Sequence, residues 1–102
     1  MHLVQLLLPL FDNESQPMPR AHFGRVASEL TERFGGLTAH TRAPAEGLWR
    51  EGGDGTTRDE IVIYEVMTDS LDTEWWRSYR TKLEERFAQD QIVVRAQQIS
   101  LL

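Results

Sequence analysis

Apolar positions fall into short runs and two helical stripes. Residues 2 to 10, HLVQLLLPL, are almost wholly apolar and stop at turn-prone Asp12, Asn13 and Ser15, as a buried strand would. After Pro17 and Pro19, the residues Phe23, Val26, Ala27, Leu30 and Phe34 recur at helical spacing. Pro19 is tolerated in a first turn, where its missing N–H would be unpaired anyway, and Gly35 and Gly36 end the stripe. Residues 37 to 42, LTAHTR, alternate like an edge strand, and residues 43 to 58, with Pro44 and several glycines, predict a long connection within a hairpin. Residues 60 to 67, EIVIYEVM, have the β-branched chemistry of a central strand. Asp72 can cap a second helix on which Trp76, Tyr79, Leu83 and Phe87 share a face, with Leu71 placed to staple onto Trp76. Residues 91 to 99 supply a last strand.

The order β, α, β, β, α, β carries a faint internal repeat. Displaced by 53 residues, Phe23, Val26, Leu30, Glu32, Arg33, Phe34 and Arg42 fall on Trp76, Tyr79, Leu83, Glu85, Arg86, Phe87 and Arg95, and each helix ends in L-x-E-R-F. A duplicated split βαβ of this kind is the ferredoxin-like α+β sandwich, with two helices on one face of a four-stranded antiparallel sheet. The other face of such a sheet should read polar. Here Leu3 and Leu7 on the first strand, and Ile61, Ile63 and Met67 on the third, make it largely apolar. Leaving such side chains in water forgoes roughly 1.5 to 3 kcal/mol each, so a second copy packed on this open face, a homodimer, is expected.

Composition narrows the function classes. At 40% hydrophobic and 26% charged residues the chain is an ordinary globular one, and 102 residues give room for a single core, so residues 1 to 102 are read as one domain. A net charge of −5 argues against nucleic acid as a partner. The lack of cysteine removes disulfides, thiolate metal sites and Cys nucleophiles, and makes the cytoplasm the default compartment. The apolar opening run has no basic flank and meets Asp12 and Glu14 where a signal peptide would be cleaved, and no run approaches a membrane span, so no membrane association is expected.

The polar residues that interrupt the open face are the candidate site. Alternation places Gln5, His40, Arg42, Glu65, Arg95 and Gln97 there. They read either as a satisfied ion-pair network or as a pocket for an anionic small molecule. In a catalytic reading His40 is the general acid or base and Glu65 the second choice, with Arg42 and Arg95 holding a carboxylate or enolate oxygen. Trp49, in the glycine-rich connection beside Glu46 and Arg50, either anchors an arm on another subunit or closes over a ligand, with Gly52 and Gly53 as a hinge. The G-G-D-G run lacks the lysine and helix of a phosphate loop. Trp75 borders the Trp76 face and reads as packing. His2, His22 and His40 lie on different elements with no ligand spacing, so no metal is expected.

The element order, the two-sided apolar central strands and the Gly47 to Trp49 stretch resemble the dimeric α+β barrel superfamily, most closely in pattern an uncharacterised family of small bacterial proteins. The superfamily includes antibiotic-biosynthesis-type monooxygenases and muconolactone isomerases. The resemblance implies a homodimer that is either a ligand-binding or interaction module, or a cofactor-independent enzyme acting on a small organic molecule in the barrel. Gln5, Trp49 and His40 invite comparison with haem-degrading members, but their pattern is not reproduced, and no cofactor is expected.

Overall fold

In the computed structural model, the backbone is described for residues 1–50 and 56–102 and the side chains for residues 1–41 and 60–102. Alternation dictates the sheet. On β1 (His2–Pro9), Val4, Leu6 and Leu8 are fully buried toward the helices, while Leu3, Gln5 and Leu7 are half-buried on the opposite side. On β3 (Thr56–Thr68), Val62, Tyr64 and Val66 share the helix side and Ile61, Ile63, Glu65 and Met67 the other. These two strands pair antiparallel at the centre, with Val4 opposite Val66 and Leu8 opposite Val62. β2 (Thr38–Arg50) and β4 (Val94–Gln98) flank them, giving the order β2-β3-β1-β4 with all neighbours antiparallel. The architecture is the ferredoxin-like α+β fold.

The helices are set by local signals. α1 (Arg20–Phe34) begins after Pro19 and stops where Gly35 takes a left-handed conformation (φ 80°) and donates its N–H to the Thr31 carbonyl. α2 (Thr73–Arg86) is capped by Asp72, whose carboxylate accepts from the Trp75 N–H at 3.1 Å. Their inward stripes, Val26 and Leu30 with Trp76, Tyr79 and Leu83, close the core over β1 and β3 together with Phe87 and Ile92, and among the described residues no polar side chain is buried in it. Between β1 and α1, Asp12 accepts from the N–H groups of Glu14 and Gln16 and holds the connection in a turn. Among the described residues no helix is long and apolar enough to cross a membrane.

The internal repeat is a true pseudo-symmetry of packing. Phe34 stacks on Trp76 at 5.2 Å and Phe87 meets Phe23 edge-on at 5.3 Å, and these are the pairs that the 53-residue displacement exchanges. In the strands the displacement is 58 residues, from Val4, Leu6 and Leu8 to Val62, Tyr64 and Val66. The longer first connection, residues 10 to 19 against 69 to 72, absorbs the difference. Arg95 lies opposite Gln5, and His40 opposite Ile63, the counterpart of Gln5; the pseudo-equivalent of Arg95 is therefore His40 and not Arg42.

Residues 43 to 58 correct the sequence reading most. β2 continues to Arg50 and β3 begins at Thr56, paired from Ala45 opposite Ile61 to Arg50 opposite Thr56. Glycine and proline suggested a loop, but β2 is an edge strand. Its register shifts between His40 and Ala45, and Pro44 falls in that irregular stretch, where a proline is tolerated. The proposed Gly52 and Gly53 hinge and the G-G-D-G run lie outside the described residues.

Candidate functional site

The open face of the sheet carries one polar row between apolar strips. The register places Thr38, Glu65, Gln5 and Arg95 side by side across all four strands. Gln5 is the centre of the row. Its amide Nε2 donates to Glu65 Oε1 at 2.8 Å, and its Oε1 accepts from Arg95 Nε at 2.8 Å. His40, two residues along β2 from Thr38, reaches diagonally to put Nε2 3.2 Å from Glu65 Oε2. Neighbouring strands stand close enough for such contacts only when side chains share a face, so the chain Arg95, Gln5, Glu65, His40 follows directly from the pairing register.

The electrostatics follow from those bonds. The amide of Gln5 holds the Glu65 carboxyl below its ordinary value of 4.5 against the opposing effect of partial burial, and His40 adds to the lowering. Glu65 is therefore an anion whose oxygens are already engaged. This is poor equipment for a general acid. His40 is half exposed, with 52% of its side chain accessible, against 21% for Glu65. On either side of the row lie Leu3 and Met67, and Leu7, Ile61, Ile63 and Val93; Met67 and Val93 are exposed and the others half-buried.

Of the residues singled out in the sequence, Gln5, His40, Glu65 and Arg95 meet. The side chains of Arg42 and Trp49 lie outside the described residues, although the backbone of both belongs to β2. The three histidines stand apart on β1, α1 and β2, and His22 packs edge-on against Phe87. Among the described residues no cluster of three metal-ligating side chains forms. Trp75 stacks on Tyr79 at 4.9 Å beneath the guanidinium of Arg33, 4.1 Å from its ring.

A second polar cluster escaped the sequence reading. Glu29 of α1 accepts two hydrogen bonds from Arg86 of α2, at 2.7 and 3.1 Å, and a third from the Tyr79 hydroxyl at 3.0 Å. The Arg86 hydrogen bonds hold the Glu29 carboxyl below its ordinary value, and burial together with Glu29 pushes the Tyr79 hydroxyl up. Its only sequence signal was Arg86 in the repeated L-x-E-R-F. Glu29 has no counterpart in that repeat, since Lys82 stands 53 residues on.

No protein-family model and no curated protein matches the chain. Among solved structures it is similar to a phage SAM lyase in complex with S-methyl-5'-thioadenosine, at TM-score 0.64 and 14% identity over 94% of this chain and 79% of that one. It is also similar to the PII-like protein CutA from Nostoc sp. PCC 7120 in apo form, at TM-score 0.56 and 13% identity over 97% and 81%. At such identities the likeness is one of fold. The sheet is open, not a barrel. β2 and β4 remain its two edges, so the resemblance to the dimeric α+β barrel superfamily does not hold. The βαββαβ order and two-sided apolar strands that pointed there are common to ferredoxin-like sheets in general.

Proposed function

We propose that the protein is a self-associating interaction module whose open sheet face receives the same face of a second copy. The observation that supports this most is the combination on that face of exposed and half-buried Leu3, Leu7, Ile61, Ile63, Met67 and Val93 with a polar row whose members bond one another. Aliphatic side chains left partly in water favour burial, and a completed polar row can be buried at small penalty because its groups bring their partners with them. The row is also self-complementary: it runs from the Arg95 cation at β4 to the Glu65 carboxylate beside β2. A two-fold axis lying between the two sheets and parallel to the strands would set the cation of one copy over the anion of the other. Cys-free composition suits a cytoplasmic setting.

The test is a charge placed in the apolar strip. Ile63→Glu should shift the protein to monomer at concentrations where wild type is dimeric, while Ser78→Glu on the exposed side of α2 leaves the association unchanged. Equal association in all of them would remove the open face from the interface.

A cofactor-independent enzyme acting on a small organic molecule is the second reading, and one contact favours it. A carboxylate fixed beside a half-exposed imidazole, as Glu65 is beside His40, can orient that ring as a base. It predicts that small lactones or aromatic acids perturb the His40 ring resonances in wild type and lose that effect in Glu65→Gln; unperturbed resonances across such a panel would dismiss it.

A further inference from the structure

The helical layer leaves the outer end of β4 uncovered. Ala96, which shares the helix-facing side with Val94, is exposed, and a cleft of about 180 Å³ opens between this strand and the first half of α2. Its floor is apolar, formed by Val4, Val94 and Ala96, and the buried Trp76 makes one wall. The rim is cationic. Arg77 and Arg80 stand three residues apart, on one face of α2, and both line the opening.

Among the described residues one carboxylate pairs with this rim, and only with Arg80. The carboxylate nearest Arg80 belongs to Glu84, at 3.9 Å, and the same oxygen already accepts the Ile92 N–H at 3.0 Å. Among the described residues Arg77 makes no ion pair. Two like charges at this helical spacing repel each other, and an anion between them would turn that repulsion into two charge-assisted bonds.

We propose that this cleft binds a small organic carboxylate, its anion on Arg77 and Arg80 and its apolar body over Val94, Ala96 and Trp76. Paired guanidiniums match a planar carboxylate. The apolar floor asks for a hydrocarbon body, which inorganic phosphate lacks, and the volume lies below the range of roughly 300 Å³ upward that encloses larger ligands such as nucleotides. A single ring or a short chain fits. The Arg95 side chain takes no part, because it is bonded to Gln5 on the opposite face. The site is thus separate from the open face and independent of self-association.

Titration with benzoate, followed by backbone amide shifts and the Trp76 indole N–H, tests this. Saturating shifts at Val94, Ala96 and Trp76 are expected, with a Kd of about 1 mM or tighter. Benzyl alcohol, which keeps the ring and lacks the charge, and inorganic phosphate, which keeps charge and lacks the ring, should each bind about tenfold more weakly or worse. Arg77→Gln and Arg80→Gln should each weaken benzoate by about tenfold with circular dichroism unchanged. No saturation at those three residues by about 10 mM benzoate, equal binding of benzyl alcohol or phosphate, or wild-type affinity in both variants would overturn the proposal.

Discussion

The two faces of one sheet are built from the same two central strands and have opposite chemistry. Toward the helices, Val4, Leu6, Leu8, Val62, Tyr64 and Val66 meet Val26, Leu30, Trp76 and Leu83 in a core without a buried polar side chain among the described residues. Away from them, the alternate residues Gln5 and Glu65 of the same strands join Arg95 of β4 and His40 of β2 in a bonded row, Arg95 to Gln5 to Glu65 to His40, between partly exposed aliphatic strips. Over β1 and β3 the first face is finished by this chain alone. The second has satisfied its polar groups but not its apolar ones, which is the condition of a surface that awaits another surface.

Substitutions at neighbouring strand positions break this comparison most directly. Leu6→Ala empties a fully buried site opposite Tyr64 and should lower unfolding free energy by about 2 to 5 kcal/mol in urea denaturation. Leu7→Ala, one residue along and on the open face, should lower monomer stability by about 1 kcal/mol or less while weakening self-association. Equal losses would mean that the two faces do not differ as described.

The polar clusters on each side give the next effects. Glu29→Gln removes the anion that ties α1 to Arg86 and Tyr79 on α2; because the Glu29 side chain is 30% exposed, the expected loss is about 1 to 3 kcal/mol, read from thermal melts. Gln5→Leu severs the centre of the open-face row and should destabilise by about 1 to 2 kcal/mol. Acid separates them from the aliphatic core. Glu29 and Glu65 both have folded-state pKa values below their ordinary 4.5, so the stability they contribute is complete above about that pH and is lost as pH falls through the lowered values. The urea midpoint of wild type should therefore drop on acidification below pH 4.5, and Glu29→Gln and Glu65→Gln should each flatten that drop. The smallest effect is a gain: Gly24 lies inside α1 with open space where a Cβ would go, so Gly24→Ala should stabilise by about 0.5 to 1 kcal/mol.

The sequence made the covered face legible because burial imposes a period. Val4, Leu6 and Leu8 at spacing two, and Trp76, Tyr79 and Leu83 at helical spacing, have no other consistent reading. Gln5, Glu65, His40 and Arg95 were legible as a set for the same reason, since they are the polar exceptions on the other parity. Their bonding order depended on register, which brought Arg95 opposite Gln5 and removed Arg42 from the pseudo-symmetric position assigned to it. The long β2–β3 arm was not legible because Gly47 and Pro44 are loop residues by propensity, and only an edge strand with a register shift accommodates them. Glu29 was hidden because a surface glutamate on a helix carries no period; only its contact with Arg86 and Tyr79 distinguishes it from Glu32.

The central claim is that the unfinished face is completed by a second copy of the chain, and sedimentation velocity over a dilution series tests it most directly. The account predicts a species of twice the chain mass at micromolar concentration that dissociates on dilution, and only the chain mass for Ile63→Glu throughout. A wild type that sediments at the chain mass up to about 100 μM, or a dimer that survives Ile63→Glu, would contradict it.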